Sequence, residues 1–443
     1  MGGPQRATAV DRRRGQPAGG GRRMEPMMTG AEHESTIASD EEDVPVHYLD
    51  HAATTPLRPE AAEAMARVTQ GDLWANPSGG HLMARRARRA ADDARDELAE
   101  LFGARPSEIV FTSGGTEADN LAVYGTVGHG GPREGQAVLC SAIEHPAVRQ
   151  PTRDLGGVEV AVDGRGRVDL DVLEATLSAA TRAGTTVGLV SVILVNNEVG
   201  TIATLNAVAD VVRRHAPEAI LHTDAVQAHQ WLDVAVSAAR ADLISVGAHK
   251  FGGPKGIGLL VVRDGLHLSP RAVGGGQERD RRAGTLNVAG VLGMAAAARA
   301  TANHRDEDLV RIAALRDRLA DGLSAAIPGL IETGVAAATA DQRAATMSDR
   351  SSKVAGNCHV CLPGVETEAL LYLLERAGIM ATAASSCASG AQEPSYVVEA
   401  LGQPREVALG ALRLTLGAAS TDADVDAALV AVPAAVERLK LFS

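Results

Sequence analysis

Short apolar runs alternate with amphipathic stretches along most of the chain. Between about residues 46 and 300 the runs Glu108–Thr112, Ala137–Ser141, Val187–Val195, Ala219–Thr223, Leu243–Val246 and Ile257–Val262 have the length and apolar content of buried strands. Gly, Asn and Asp bound them and helical periodicity separates them, which predicts a wound α/β fold on a mainly parallel sheet. Ligands of such sheets bind beyond the carboxyl ends of the strands. The polar residues that follow each run are therefore the place to look for chemistry.

From about residue 303 the pattern restarts with a charged helix (Glu307–Ser324), a strand (Asn357–Leu362) and a second helix (Glu366–Ala377). A loop rich in Ala, Ser and Gly follows at Ala381–Ala391, then the run Arg413–Gly417 and a terminal helix. These elements predict a second, smaller C-terminal α/β domain over 303–443, beside a large domain over 61–302. Residues 45–60 are expected to pack with the small domain. Residues 1–44 mix Gly, Pro and Arg, turn acidic at Asp40–Asp43 and show no apolar periodicity. They read as a disordered tail, or as an extension from an upstream start site, since Met24, Met27 and Met28 precede the first patterned segment.

Composition narrows the function classes. The 443 residues carry a formal net charge of −12, which argues against a nucleic-acid or anionic-membrane surface and for a protein partner or small substrate. No stretch approaches the roughly 18 apolar residues of a membrane span, and the start lacks a signal-type apolar region, so a cytoplasmic location is expected. Four cysteines, Cys140, Cys358, Cys361 and Cys387, are too few for a disulfide framework and read as reduced thiols. Cys358 and Cys361 form a C-x-x-C, but on a strand residues three apart face opposite sides and no second pair exists, so core packing is the reading.

Lysine is scarce: Lys250, Lys255, Lys353 and Lys440 are the only four. Lys250 follows an apolar run and His249, and precedes the glycine-rich Phe251–Gly256. It is either a Schiff-base lysine or a surface lysine in a flexible turn. Asp224 ends another run and is followed by Gln227. A carboxylate there can keep a pyridine nitrogen protonated, or can cap a helix. Thr112-Ser113-Gly114-Gly115-Thr116-Glu117 leads from a strand into a helix, a place suited to phosphate or to a tight connection. It matches neither G-x-G-x-x-G nor a P-loop.

Together these segments resemble the class V aminotransferase group of pyridoxal-phosphate enzymes, specifically the cysteine desulfurases. The resemblance runs from Tyr48 to about Arg438. Its signposts are Tyr48–Pro56, Asn76–His81, Phe111–Asn120, Glu144-His145, Asn196-Asn197-Glu198, His222–Gln227, His249-Lys250, Gly274–Arg279 and Arg282–Thr285. The implied fold is the pyridoxal-phosphate-dependent transferase fold type I, with 61–302 as the cofactor domain. The resemblance implies that Lys250 carries pyridoxal 5'-phosphate as a Schiff base and Asp224 pairs with its ring nitrogen. It gives Asn197 and Gln227 the phenolic oxygen, and His145 a place stacked on the ring. Gly115, Thr116 and His249 would bind phosphate, with Thr285 reaching it from the partner of a homodimer. Where the family has a serine two residues before its His-Lys pair, this chain has Gly247. One neutral hydrogen bond fewer is worth about 0.5–1.5 kcal/mol of cofactor affinity.

The choice of reaction rests on Cys387, in the small-residue run Ala383–Ala391. With Glu393-Pro394-Ser395 and Arg413–Gly417 it resembles the desulfurases with the longer catalytic-cysteine loop. The resemblance implies that L-cysteine binds through Arg413 and Asn197, that Lys250 or His145 removes the α-proton, and that the Cys387 thiolate takes the sulfur as a persulfide. Alanine is the other product. The acceptor would be an iron–sulfur scaffold protein, a tRNA-thiolation enzyme or another thiolation system, without direct contact to nucleic acid or membrane. Competing readings are a selenocysteine lyase, another class V lyase, or a non-catalytic scaffold. No metal site is expected.

Overall fold

In the computed structural model, which describes residues 45–335, 349–383 and 393–441, nearly every apolar run becomes a strand. In chain order the strands are β1 (His47–Tyr48), β2 (Ile109–Thr112), β3 (Ala137–Ser141), β4 (Val158–Val160), β5 (Val187–Ser191), β6 (Ile220–Asp224), β7 (Leu243–Gly247), β8 (Gly258–Val262), β9 (Ile331–Glu332), β10 (Asn357–Cys361), β11 (Ile379–Met380) and β12 (Ala411–Thr415). The helices are α1 (Pro59–Thr69), α2 (Leu82–Leu101), α3 (Gly115–Val127), α4 (Pro146–Asp154), α5 (Leu170–Arg182), α6 (Leu205–His215), α7 (Val234–Ser237), α8 (Val288–Ala326), α9 (Thr367–Arg376), α10 (Tyr396–Ala400), α11 (Arg405–Ala408) and α12 (Asp422–Lys440).

The main sheet has seven strands in the order β2-β8-β7-β6-β5-β3-β4. All neighbours are parallel except at β8, which runs antiparallel to β2 and β7. The fold class is α/β with a mainly parallel sheet, as expected. Two smaller sheets come from the rest of the chain: β12-β10-β9 and the pair β1-β11. Cys358 and Cys361 are fully buried on β10 in different apolar clusters, so they pack the core.

Register brings three strand ends together. Gly258 of β8 pairs with Thr112 at the end of β2 and with Gly247 at the end of β7, while Asp224 at the end of β6 pairs with Ser245 of β7. The turn into α3, the turn carrying Lys250 and the Asp224 carboxylate therefore open on the same edge.

One element differs from its expected form. The charged stretch read as the start of a helix at Glu307 is the middle of the 39-residue α8, so the expected boundary at 302/303 falls inside a continuous helix. Asn287 caps its true start by accepting from the Gly290 N–H at 2.9 Å. The Ala-rich first half has no polar face to mark it as amphipathic because it is buried, with Val291, Met294, Ala297 and Ala298 at 2 % exposure or less. Among the described residues no helix is long and apolar enough to cross a membrane.

Candidate active site

The three strand ends border a cleft of about 390 Å³ whose walls include Asp50, Gly115, Thr116, Asp119, His145, Asn197, Asp224, Gln227, His249, Lys250, Thr382 and Arg413. Lys250 stands in the turn after β7. Its Nζ donates to the carbonyls of Ala52 and Ala53, at 2.5 and 2.8 Å. Both acceptors are neutral. Burial, reinforced by the nearby Arg413 charge, lowers the amine to about 8, against the opposing pull of Asp224 and Asp50. The segment that cradles it is pinned: Thr55 N–H donates to the His249 carbonyl at 3.1 Å, and Gln227 Nε2 donates to Ala52 O at 2.6 Å.

Asp224 caps no helix. One of its oxygens accepts the Val226 N–H at 2.9 Å in a local turn, and the carboxyl lines the cleft at 4 % exposure. Burial raises its pKa, while His145 and Lys250 pull the other way. His145 caps α4: its Nδ1 accepts the Ala147 N–H at 3.1 Å, which places the proton of the neutral ring on Nε2. Burial lowers its pKa, so the neutral ring is favoured. Asn197 and Gln227 face the same space.

The opposite end of the cleft is built by the start of α3. Gly115 and Thr116 begin that helix, whose first N–H groups have no partner within it. A β-carbon built on Gly247 would lie 3.5 Å from the Gly115 nitrogen and 3.2 Å from Val226 Cγ1. Gly247 thus leaves open the space beside the helix start. His249 lines this side, its Nδ1 3.3 Å from Thr54 Oγ1 and its pKa lowered to about 4 by burial and by Lys250 and Lys255.

Arg413, at 5 % exposure on β12, donates from Nη1 to Asn197 O at 2.8 Å and pairs through Nη2 with Asp50 at 2.7 Å. Its buried Nε has no hydrogen-bond partner among the described residues. A buried guanidinium with an unused donor is arranged to receive an acidic group.

One expected residue is not in the cleft. Thr285 is exposed and does not line it. Its loop is nonetheless tied to the site, since Arg282 pairs with Glu117 of α3 at 2.8 and 3.2 Å. Cys387 lies outside the described residues. The described chain before it is fixed at the cleft, where Thr382 exchanges backbone hydrogen bonds with Arg413. The described chain after it is held by the residues next to Asn197 and His145: Ser395 Oγ donates to Glu198 at 2.5 Å, and Tyr396 donates to the carbonyl of Glu144 at 2.6 Å.

Sequence reasoning overlooked Asp50 and Asp119. Asp119 follows Thr116 by one helical turn, the spacing that puts both on one face, and this was the available signal. Asp50 and the Ala52 and Ala53 carbonyls act through long-range packing that no local pattern announces.

These residues fit pyridoxal phosphate: a buried amine for its aldehyde, a carboxyl for its ring nitrogen, and a helix start with open space for its phosphate. The family model of the class V aminotransferases matches residues 47–428. The chain is 40% identical over 405 residues to an "IscS-like cysteine desulfurase" of Mycobacterium tuberculosis, covering 89% of this chain and 97% of that one. Among solved structures it is similar to a "NifS-like protein", with a TM-score of 0.77 and 30% identity over 89% of this chain and 100% of the other. A structure described as SspA in complex with cysteine matches at a TM-score of 0.65 and 26% identity, covering 84% and 98%. The chain belongs to the class V aminotransferase family, among the pyridoxal-phosphate-dependent cysteine desulfurases.

Proposed function

We propose that this enzyme desulfurates L-cysteine with Cys387 as the sulfur-accepting nucleophile, releasing L-alanine and passing the sulfur on as a persulfide. The observation that carries the reading is the pairing of the buried Lys250 amine with the unused Nε of Arg413 in one cleft. Pyridoxal phosphate, when bound, supplies the electron sink that makes the substrate's α-proton removable. Arg413 receives the substrate carboxylate, with Asp50 as the ion-pair partner to be exchanged. Lys250 takes the α-proton, since burial brings its pKa close to the working range. His145, with Nδ1 engaged and the proton on Nε2, orients and donates rather than acting as the base. The Cys387 thiolate then attacks the substrate sulfur. A sulfur–sulfur bond forms, the carbon–sulfur bond breaks, and its electron pair goes to the three-carbon remainder, which leaves as alanine after protonation.

Chain length supports this role for Cys387. It lies four residues beyond Ala383, whose neighbour Thr382 lines the cleft, and four residues span up to about 14 Å. On the run Ala383–Ala391 we assign the chain to the group with the longer cysteine loop.

Thr285 fits a homodimer in which each protomer completes its partner's phosphate site. Its loop is held in shape by Glu278, which pairs with Arg95 at 2.7 and 2.9 Å and accepts the Phe111 N–H at 2.9 Å. Trp74 and Val273 stand 70 % and 82 % exposed beside the two loops that meet there, as surface awaiting a partner would. The proposed setting is the cytoplasm, supported by three free, buried thiols. The proposed acceptor is an iron–sulfur scaffold protein or a tRNA-thiolation enzyme. The test compares alanine released from L-cysteine by the wild type and by Cys387→Ser. The reading requires near-complete loss in the variant, and undiminished turnover would remove Cys387 from the mechanism.

A further inference from the structure

Behind Asp224 lies a second carboxyl group that the proposed mechanism does not use. Asp119, on α3, is 1 % exposed, and its carboxyl, that of Asp224 and the His145 ring offer atoms all within 4.8 Å of one another. Asp119 Oδ1 has no hydrogen-bond partner among the described residues. The Ser245 hydroxyl of β7 hydrogen-bonds to the carboxyl. Ser245 in turn lies 3.0 Å from His222 Nε2, and His222 Nδ1 lies 2.8 Å from the Ser191 hydroxyl. The His222 ring is fully buried, and burial lowers its pKa to about 3, so it brings no charge. A consistent direction runs through this chain: Ser191 donates to His222, His222 to Ser245, and Ser245 to Asp119.

Two buried carboxyl groups with oxygens within 4.8 Å of each other repel when both are ionised, which favours a single proton held between them. The groups around it decide where. Asp224 faces His145 and Lys250 and accepts a backbone N–H. Asp119 faces the acids Asp224 and Glu144, with the neutral His222 alongside at 3.6 Å. Among the described residues no cation stabilises its charge; burial and then the Asp224 carboxylate raise its pKa well above the usual range, against the opposing pull of the Ser245 hydrogen bond.

We infer that Asp119 is a positioning residue: it holds the proton that leaves Asp224 ionised opposite the cofactor's ring nitrogen, and it supplies a substitute carboxylate when Asp224 is neutralised. The inference rests on the cofactor reading above. The test titrates cofactor-free protein with pyridoxal phosphate and follows affinity and the pH midpoint of the bound cofactor's visible absorbance, for Asp119→Asn, Asp224→Asn and the double variant. Asp119→Asn, which copies the protonated acid in shape, is expected to weaken binding less than threefold. The double variant is expected to bind at least tenfold more weakly than the product of the single effects predicts, with a midpoint displaced beyond that of Asp224→Asn. A smaller coupling, or an Asp119→Asn loss as large as that of Asp224→Asn, overturns it.

Infrared spectra of the cofactor-free proteins decide the matter if the double variant does not fold. Glu144 is also fully buried, its pKa pushed up to about 8 by burial, so the band to follow is the carbonyl band that Asp119→Asn removes from the wild-type spectrum. It is expected to be missing from Asp224→Asn as well, where Asp119 ionises. Persistence of that Asp119 band in Asp224→Asn overturns the inference. A wild type that takes up no pyridoxal phosphate refutes the cofactor reading instead, and leaves the infrared result to judge Asp119.

Discussion

Gly247 stands where the family resemblance leads one to expect a serine beside the phosphate, and its geometry makes the cost measurable. Its backbone lies at φ −120° and ψ 127°, ordinary strand values that any residue adopts. A side chain there would enter the space beside the first N–H of α3, with its β-carbon 3.5 Å from Gly115 N and 3.2 Å from Val226 Cγ1. The second contact is tight, so Gly247→Ser alone mixes the worth of a hydroxyl with the displacement of Val226. Gly247→Ala carries the same β-carbon and the same displacement. The ratio of the two dissociation constants therefore isolates the hydroxyl. Its acceptor is an anion, which lifts the bond from the 0.5–1.5 kcal/mol of a neutral pair to about 1.5–3 kcal/mol. The serine variant should bind pyridoxal phosphate roughly 10- to 150-fold more tightly than the alanine variant. Titration of cofactor-free protein, followed by absorbance, measures both. Equal constants would show that position 247 does not face the phosphate, and would refute the placement of the cup at the start of α3.

Four further outcomes are expected. Lys250 is lowered from 10.5 to about 8 in the cofactor-free protein, so its reactive neutral form grows with pH up to that value. The rate of pyridoxal-phosphate uptake should rise about tenfold per pH unit below 8 and level off above it; a rate still climbing beyond pH 9.5 would contradict the burial of the amine. The same shift has a sign for stability: between about 8 and 10.5 the unfolded chain holds the extra proton, so this lysine's contribution favours folding increasingly as pH rises through that window. Glu278→Ala leaves Arg95 buried without its partner, and these side chains are 7% and 10% exposed. It should cost about 3–5 kcal/mol in denaturant unfolding, and a loss under 1 kcal/mol would refute a structural role for the pair. Arg413→Lys keeps the charge but not the two-pronged fork. It should lower kcat/KM for alanine release by at least about tenfold, and an unchanged value would mean that Arg413 does not hold the carboxylate.

Much of the site was legible because its chemistry sits where strands end. Asp224 and the turn into α3 each follow an apolar run directly, so a continuous run of strand length followed by a polar residue was enough to find them. Lys250 stood out by scarcity. Asp119 was passed over because within a helix an acid reads as ordinary surface, and its burial comes from β6 and β7 packing across it. The role of the Ala52 and Ala53 carbonyls was invisible, since backbone acceptors leave no mark in residue type. The first half of α8 was missed for the opposite reason: a fully buried helix carries no alternation of apolar and polar positions. Strand β4 is short and begins at the exposed Val158, so it produced no run.

The central claim, that sulfur leaves cysteine onto Cys387, is tested most directly by mass spectrometry of the Cys387 peptide. The sample is holoenzyme mixed with L-cysteine in the absence of any acceptor. The account predicts that this peptide gains one sulfur atom, that alanine appears in equal amount, and that reductant removes the added sulfur. Alanine formed with Cys387 unmodified would contradict it.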